Sequence, residues 1–117
     1  MKYLIKKFED ISPTDLSGKK FIIIYELESG KSYELIIKTS DMLIQSWQAQ
    51  YPNLKDEQTL FSVFFNYGRD KIEQNIINNE FTDSDSLEIF SNFDYGECVH
   101  CMKPEPIRLN EWFVVKE

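Results

Sequence analysis

The sequence predicts an α+β domain in which a mainly antiparallel sheet, opened by an N-terminal β-hairpin and completed by C-terminal strands, carries two or three helices on one face. Three observations lead there. Residues 21 to 38 place β-branched and aromatic runs on both sides of a glycine turn, residues 40 to 79 repeat apolar side chains at helical spacing, and from Phe81 onward the period shortens again.

The hairpin is FIIIYELESGKSYELIIK, residues 21 to 38. With Gly30 in the left-handed position of a three-residue loop, Tyr25 faces Tyr33 and Ile23 faces Leu35. Phe21, Ile23, Tyr25, Leu27, Tyr33, Leu35 and Ile37 then share one face. The opposite face carries Glu26, Glu34 and Lys38, yet Ile22, Ile24 and Ile36 keep it partly apolar, as expected of a face that is half covered or meets a partner.

Ser40 is placed to cap a helix from Asp41 to Tyr51, with Leu43, Ile44, Trp47 and Tyr51 on one stripe and Pro52 ending it. Asn53 with Asp56 resembles a capping arrangement for a second helix, in which Leu60, Phe61, Phe64 and Tyr67 recur up to Gly68. Arg69 to Asn79 reads as a third helix, or a continuation, with Ile72, Ile76 and Ile77 inward and Asn75, Asn78 and Asn79 weakening its end. Residues 86 to 93, SLEIFSNF, read as a strand with Leu87 and Ile89 on one side and Glu88 and Phe90 on the other. Asp94-Tyr95-Gly96 marks a turn, Pro104 and Pro106 interrupt pairing, and Arg108 to Lys116 resumes a strand with Trp112 and Val114 on one face.

A chain of 117 residues has room for a single domain, residues 1–117, and 42% apolar with only four Gly and four Pro describes a folded one. MKYLIKKFEDIS has charges on both sides of a three-residue apolar run, unlike a cleavable signal, and no apolar run approaches a membrane span. A cytoplasmic protein with free thiols is the expectation.

GECVHCMKP, residues 96 to 104, is the one stretch that looks like chemistry. A structural zinc normally takes four ligands, and beyond Cys98, His100 and Cys101 the chain has no other Cys or His. A redox pair requires a helix N-terminus, which Pro104 and Pro106 oppose. Phosphate-cradling glycine loops and recognisable nucleophile settings are absent. The expectation is a protein that is not an enzyme and uses no cofactor. A thiol or zinc protein built on Cys98 and Cys101 is the alternative that metal analysis would reveal.

Charge is more informative. The net charge of −7 arises between residues 53 and 101, where ten acids meet only Lys55, Arg69 and Lys71; from Ile72 to Met102 there is no Lys or Arg at all. Within FTDSDSLEIFSNFDYGE, residues 81 to 97, aromatic and acidic side chains interleave. The plain reading is a solvated acidic loop whose aromatics enter the core. The sharper one is a binding surface for a basic protein formed by Glu80, Asp83, Asp85, Glu88, Phe90, Phe93, Asp94, Tyr95 and Glu97, with carboxylates steering the partner and aromatics anchoring it. Direct nucleic-acid binding and membrane-surface binding both require cationic stripes that the chain lacks.

In size, acidity and architecture the chain resembles the small acidic immunity proteins of bacterial polymorphic toxin and contact-dependent growth inhibition systems. The resemblance rests on no diagnostic motif, so no residue is carried over. It implies a protein that occludes the active site or substrate groove of a cognate toxin, commonly a basic nuclease. A phage-type inhibitor that mimics nucleic acid would show the same composition.

Overall fold

The computed structural model describes residues 1–12, 18–89 and 106–116. Its elements are β1 (Lys2–Asp10), β2 (Lys19–Leu27), β3 (Ser32–Thr39), α1 (Asp41–Gln50), a short 3-10 helix (Pro52–Lys55), α2 (Glu57–Asn78), β4 (Ser84–Ile89) and β5 (Trp112–Val114). The sheet runs β4-β3-β2-β1-β5. Three neighbouring pairs are antiparallel and only β3 with β4 is parallel, which makes the sheet mixed but mostly antiparallel.

The β2–β3 hairpin has the expected register. Tyr25 lies opposite Tyr33 and Ile23 opposite Leu35. Gly30, at φ 88°, turns the chain after Leu27, whose carbonyl accepts from Gly30 N–H at 2.9 Å and whose N–H donates to Lys31 at 2.9 Å. Positive φ is what glycine supplies without steric cost.

β1 lies inside the sheet between β2 and the edge strand β5 although its sequence does not alternate cleanly. Tyr3 and Ile5 enter the core, and a bulge between Ile5 and Lys7 then shifts the pairing by one residue so that Phe8 returns to the packed face. An extra residue of this kind defeats a period-two reading.

Ser40 caps α1 as expected, its hydroxyl accepting from Leu43 N–H at 3.2 Å. Leu43, Ile44 and Trp47 are the buried residues of this helix. Asp56 precedes α2 without capping it through its side chain and instead accepts from the Thr59 hydroxyl at 2.8 Å. Neither Asn53 nor Asp56 therefore forms the expected cap.

Gly68 does not end a helix. It is buried within a continuous α2, where a Cβ would come within 2.2 Å of Ile23 Cδ1 and 3.0 Å of Ile37 Cδ1. The missing side chain brings the helix backbone against the sheet, and Arg69 to Asn78 continue the same helix, so that α1 and α2 are the two α-helices among the described residues. Ile72 and Ile76 point inward, while Ile77, expected inward, is 55% exposed because the apolar stripe has rotated past it. Asn79 ends α2 in the left-handed conformation at φ 55°.

The core lies between the helices and one sheet face. Phe21 stacks on Phe64 at 4.6 Å between ring centroids, and Trp47 lies parallel to Tyr67 at 5.9 Å. β5 is shorter than the expected 108–116 strand. Trp112 and Val114 share a face as expected, but it is the solvent-facing one, and Phe113 between them is buried.

Candidate interaction surface

The candidate surface begins where α2 hands the chain to β4. Asn79 N–H donates to Ile76 O and Glu80 N–H to Asn75 O, closing the last helical turn and reversing the chain. Phe81 then stacks on Tyr33 at 5.3 Å, and Tyr33 stacks on Tyr25 at 5.6 Å. This aromatic ladder anchors the segment against the hairpin, and Glu34 N–H donates to Asp83 O at 3.2 Å to start the parallel ladder.

Register sorts the predicted acids onto two faces. Asp85 lies beside Leu35 and Leu87 beside Ile37, which turns both toward the helices; Ser84, Ser86 and Glu88 lie beside Glu34, Ile36 and Lys38 on the open face. Asp85 is consumed internally. Its Oδ2 accepts from Asn75 Nδ2 at 2.9 Å and lies 4.0 Å from Lys71 Nζ, while its Oδ1 accepts from Ser86 N–H at 2.8 Å. Asn75 is buried, so this network fixes β4 to α2. Burial raises the neighbouring Tyr25 phenol above its usual pKa against a hydrogen bond from Asn75, and the Asp85 charge adds to the rise.

Glu73, within the base-free run of the sequence, is also engaged. Its Oε2 accepts from the Tyr3 hydroxyl at 2.8 Å and lies 3.8 Å from Arg69 Nη2. Burial, opposed by a hydrogen bond from Arg69, holds the Tyr3 phenol far above its ordinary value.

The acids left facing solvent are Glu80, Asp83 and Glu88, joined by Glu34, which accepts from Ser84 Oγ at 3.2 Å. Among the described residues none of these four has a cation within ion-pair distance. Glu34 was missing from the predicted site although its face was assigned, because only the parallel pairing of β4 with β3 brings it beside Ser84. The surface is graded. Its Glu80–Asp83–Glu34 end is acidic, with Lys31 over the neighbouring Tyr33 ring at 5.5 Å, whereas at the far end Glu88 lies beside Lys38, itself opposite Lys20. These three residues, with Gly18, Lys19, Thr39 and Ser40, line a cavity of about 340 Å³.

Phe90, Phe93, Asp94, Tyr95, Glu97, Cys98, His100 and Cys101 lie outside the described residues. Among the described residues no group of three or more His, Cys, Asp or Glu side chains could hold a metal ion, and no helix is long and apolar enough to cross a membrane.

No protein-family model, curated protein or solved structure matches this chain.

Proposed function

We propose that this protein is a non-enzymatic acidic binding protein of the immunity type, which neutralises a basic, nuclease-type toxin by covering its active site or substrate groove. The observation that carries this reading is the group Glu34, Glu80, Asp83 and Glu88 around an edge strand, four carboxylates with no described cation in ion-pair contact. Carboxylates without a described ion-pair partner of their own attract a cationic partner and are available to pair with it. The rigid setting adds to it. The Phe81–Tyr33–Tyr25 ladder and the Asp85–Asn75 bond fix β4, so its backbone is already ordered when a partner docks.

On this reading Asp85 positions the surface and Glu34 belongs to it. The partner presents Lys or Arg side chains that would otherwise contact phosphates, and long-range attraction speeds encounter at low salt. The test is co-expression with the product of the adjoining gene, followed by affinity measurement across a salt series. A basic nuclease domain that copurifies, loses activity and binds more weakly as salt rises is the expected result. A salt-independent complex would remove the electrostatic basis of the proposal.

A further inference from the structure

We propose that the opposite edge of the sheet is a self-association surface, on which β5 of one copy pairs antiparallel with β5 of a second copy about a two-fold axis through Phe113. The hydrogen-bond register supports it. β5 pairs with β1 through Lys2–Val114, Tyr3–Phe113 and Leu4–Trp112, and Val115 N–H donates to Met1 O at 2.9 Å. In an antiparallel ladder the bonded pairs alternate. Phe113 therefore directs its N–H and C=O toward β1, whereas Trp112 and Val114 direct theirs outward, where no described strand receives them.

A two-fold axis at Phe113 sets Trp112 of each copy opposite Val114 of the other, so the outward groups of one copy meet the outward groups of the next. The side chains agree with the backbone. Trp112 is 49% and Val114 63% exposed, both on the open face, and neither strand residue carries charge. Paired in this way, Leu4, Trp112 and Val114 of the second copy form a continuous apolar row, repeated by symmetry. An aromatic beside a β-branched residue is a favourable cross-strand pair.

The other edge is built against the same event. Self-pairing of β4 about Ser86 would bring Glu88 of one copy toward Ser84 and Glu34 of the other, like charge against like. The Ser86 N–H is moreover already held by Asp85 Oδ1 at 2.8 Å. Charge and a capped amide protect β4, and among the described residues Trp112–Val114 of β5 have neither. In the resulting dimer the acidic edges lie at opposite ends of one sheet, clear of the joint.

Sedimentation equilibrium of the full chain from micromolar to millimolar concentration tests the proposal. The expected result is a shift from the chain mass to twice that mass, occurring at lower concentration when salt screens the repulsion between two chains of charge −7. Val114→Asp, at an exposed position, is expected to stay monomeric throughout with an unchanged melting temperature. Amide exchange on the wild-type chain should show Trp112 and Val114 gaining protection with concentration, while Phe113 is protected at every concentration. A wild-type chain that stays monomeric, a Val114→Asp chain that still dimerises, or a dimer whose Trp112 and Val114 amides exchange freely would overturn it.

Discussion

Replacing Gly68 by Ala tests how α2 meets the sheet. The added methyl would lie 2.2 Å from Ile23 Cδ1 and 3.0 Å from Ile37 Cδ1, and both isoleucines are fully buried. Helix propensity favours Ala over Gly by about 1 kcal/mol, whereas overpacking a closed core costs roughly 1–3 kcal/mol. The contact at 2.2 Å is far inside van der Waals range, and because Ile23 and Ile37 are fully buried, moving either Cδ1 displaces packed neighbours, so the steric effect prevails. The expected net change is a destabilisation of about 1 kcal/mol, the middle of the range left after subtracting the propensity gain, and a fall of roughly 4 °C in melting temperature for a domain of this size. Thermal and urea unfolding would measure it. Ile23→Val removes the obstructing Cδ1, so the double variant should lose less stability than the two single changes added together. A Gly68→Ala protein as stable as wild type, or a strictly additive cycle, would refute the close approach as the reason for this glycine.

Ser40→Ala should cost about 1 kcal/mol by removing the N-cap bond to Leu43 N–H, read by chemical denaturation. Tyr3→Phe removes a buried hydroxyl that donates to Glu73 and accepts from Arg69, and should cost about 1 kcal/mol in the same assay. Although desolvation raises the Asp10 pKa, bonds from the Ser12 hydroxyl and amide and the Lys19 charge outweigh it and hold the carboxyl below its ordinary value. Its contribution to stability is therefore present above the unfolded carboxylate pKa and fades as pH falls through the depressed folded value. Ser12→Ala removes the hydroxyl and keeps the amide, and should move the Asp10 titration upward by NMR; an unmoved titration would assign the shift to the residue-12 amide and Lys19.

The hairpin was legible in the sequence because its information is local: a glycine at the one left-handed position fixes register, and register fixes which face each side chain takes. α1 was legible for the same reason, through Ser40 and a short apolar stripe. β1 was not, since the bulge after Ile5 breaks the alternation that marks a strand. Gly68 misled because glycine commonly ends helices, and only the approach of Ile23, forty-five positions away in the chain, explains it. The acidic surface was legible as composition and not as geometry. Glu73 and Asp85 carry the same charge as Glu80 and Asp83, but Tyr3, Asn75 and Lys71, brought near by folding, take them out of the solvent-facing group. Parallel pairing of β4 with β3, a contact across two helices, then adds Glu34.

The central claim is that the acids around β4 receive a basic partner. It is tested most directly by the affinity of the chain carrying Glu34→Lys, Asp83→Lys and Glu88→Lys for the copurifying toxin domain, compared with a control reversed at the distant, exposed Glu57. Asp85 is left intact so that the β4–α2 network survives. The account predicts a loss of about tenfold or more in affinity for the triple variant, with most of the salt dependence gone and the control unchanged. Equal affinity of the triple variant and the wild type would contradict it.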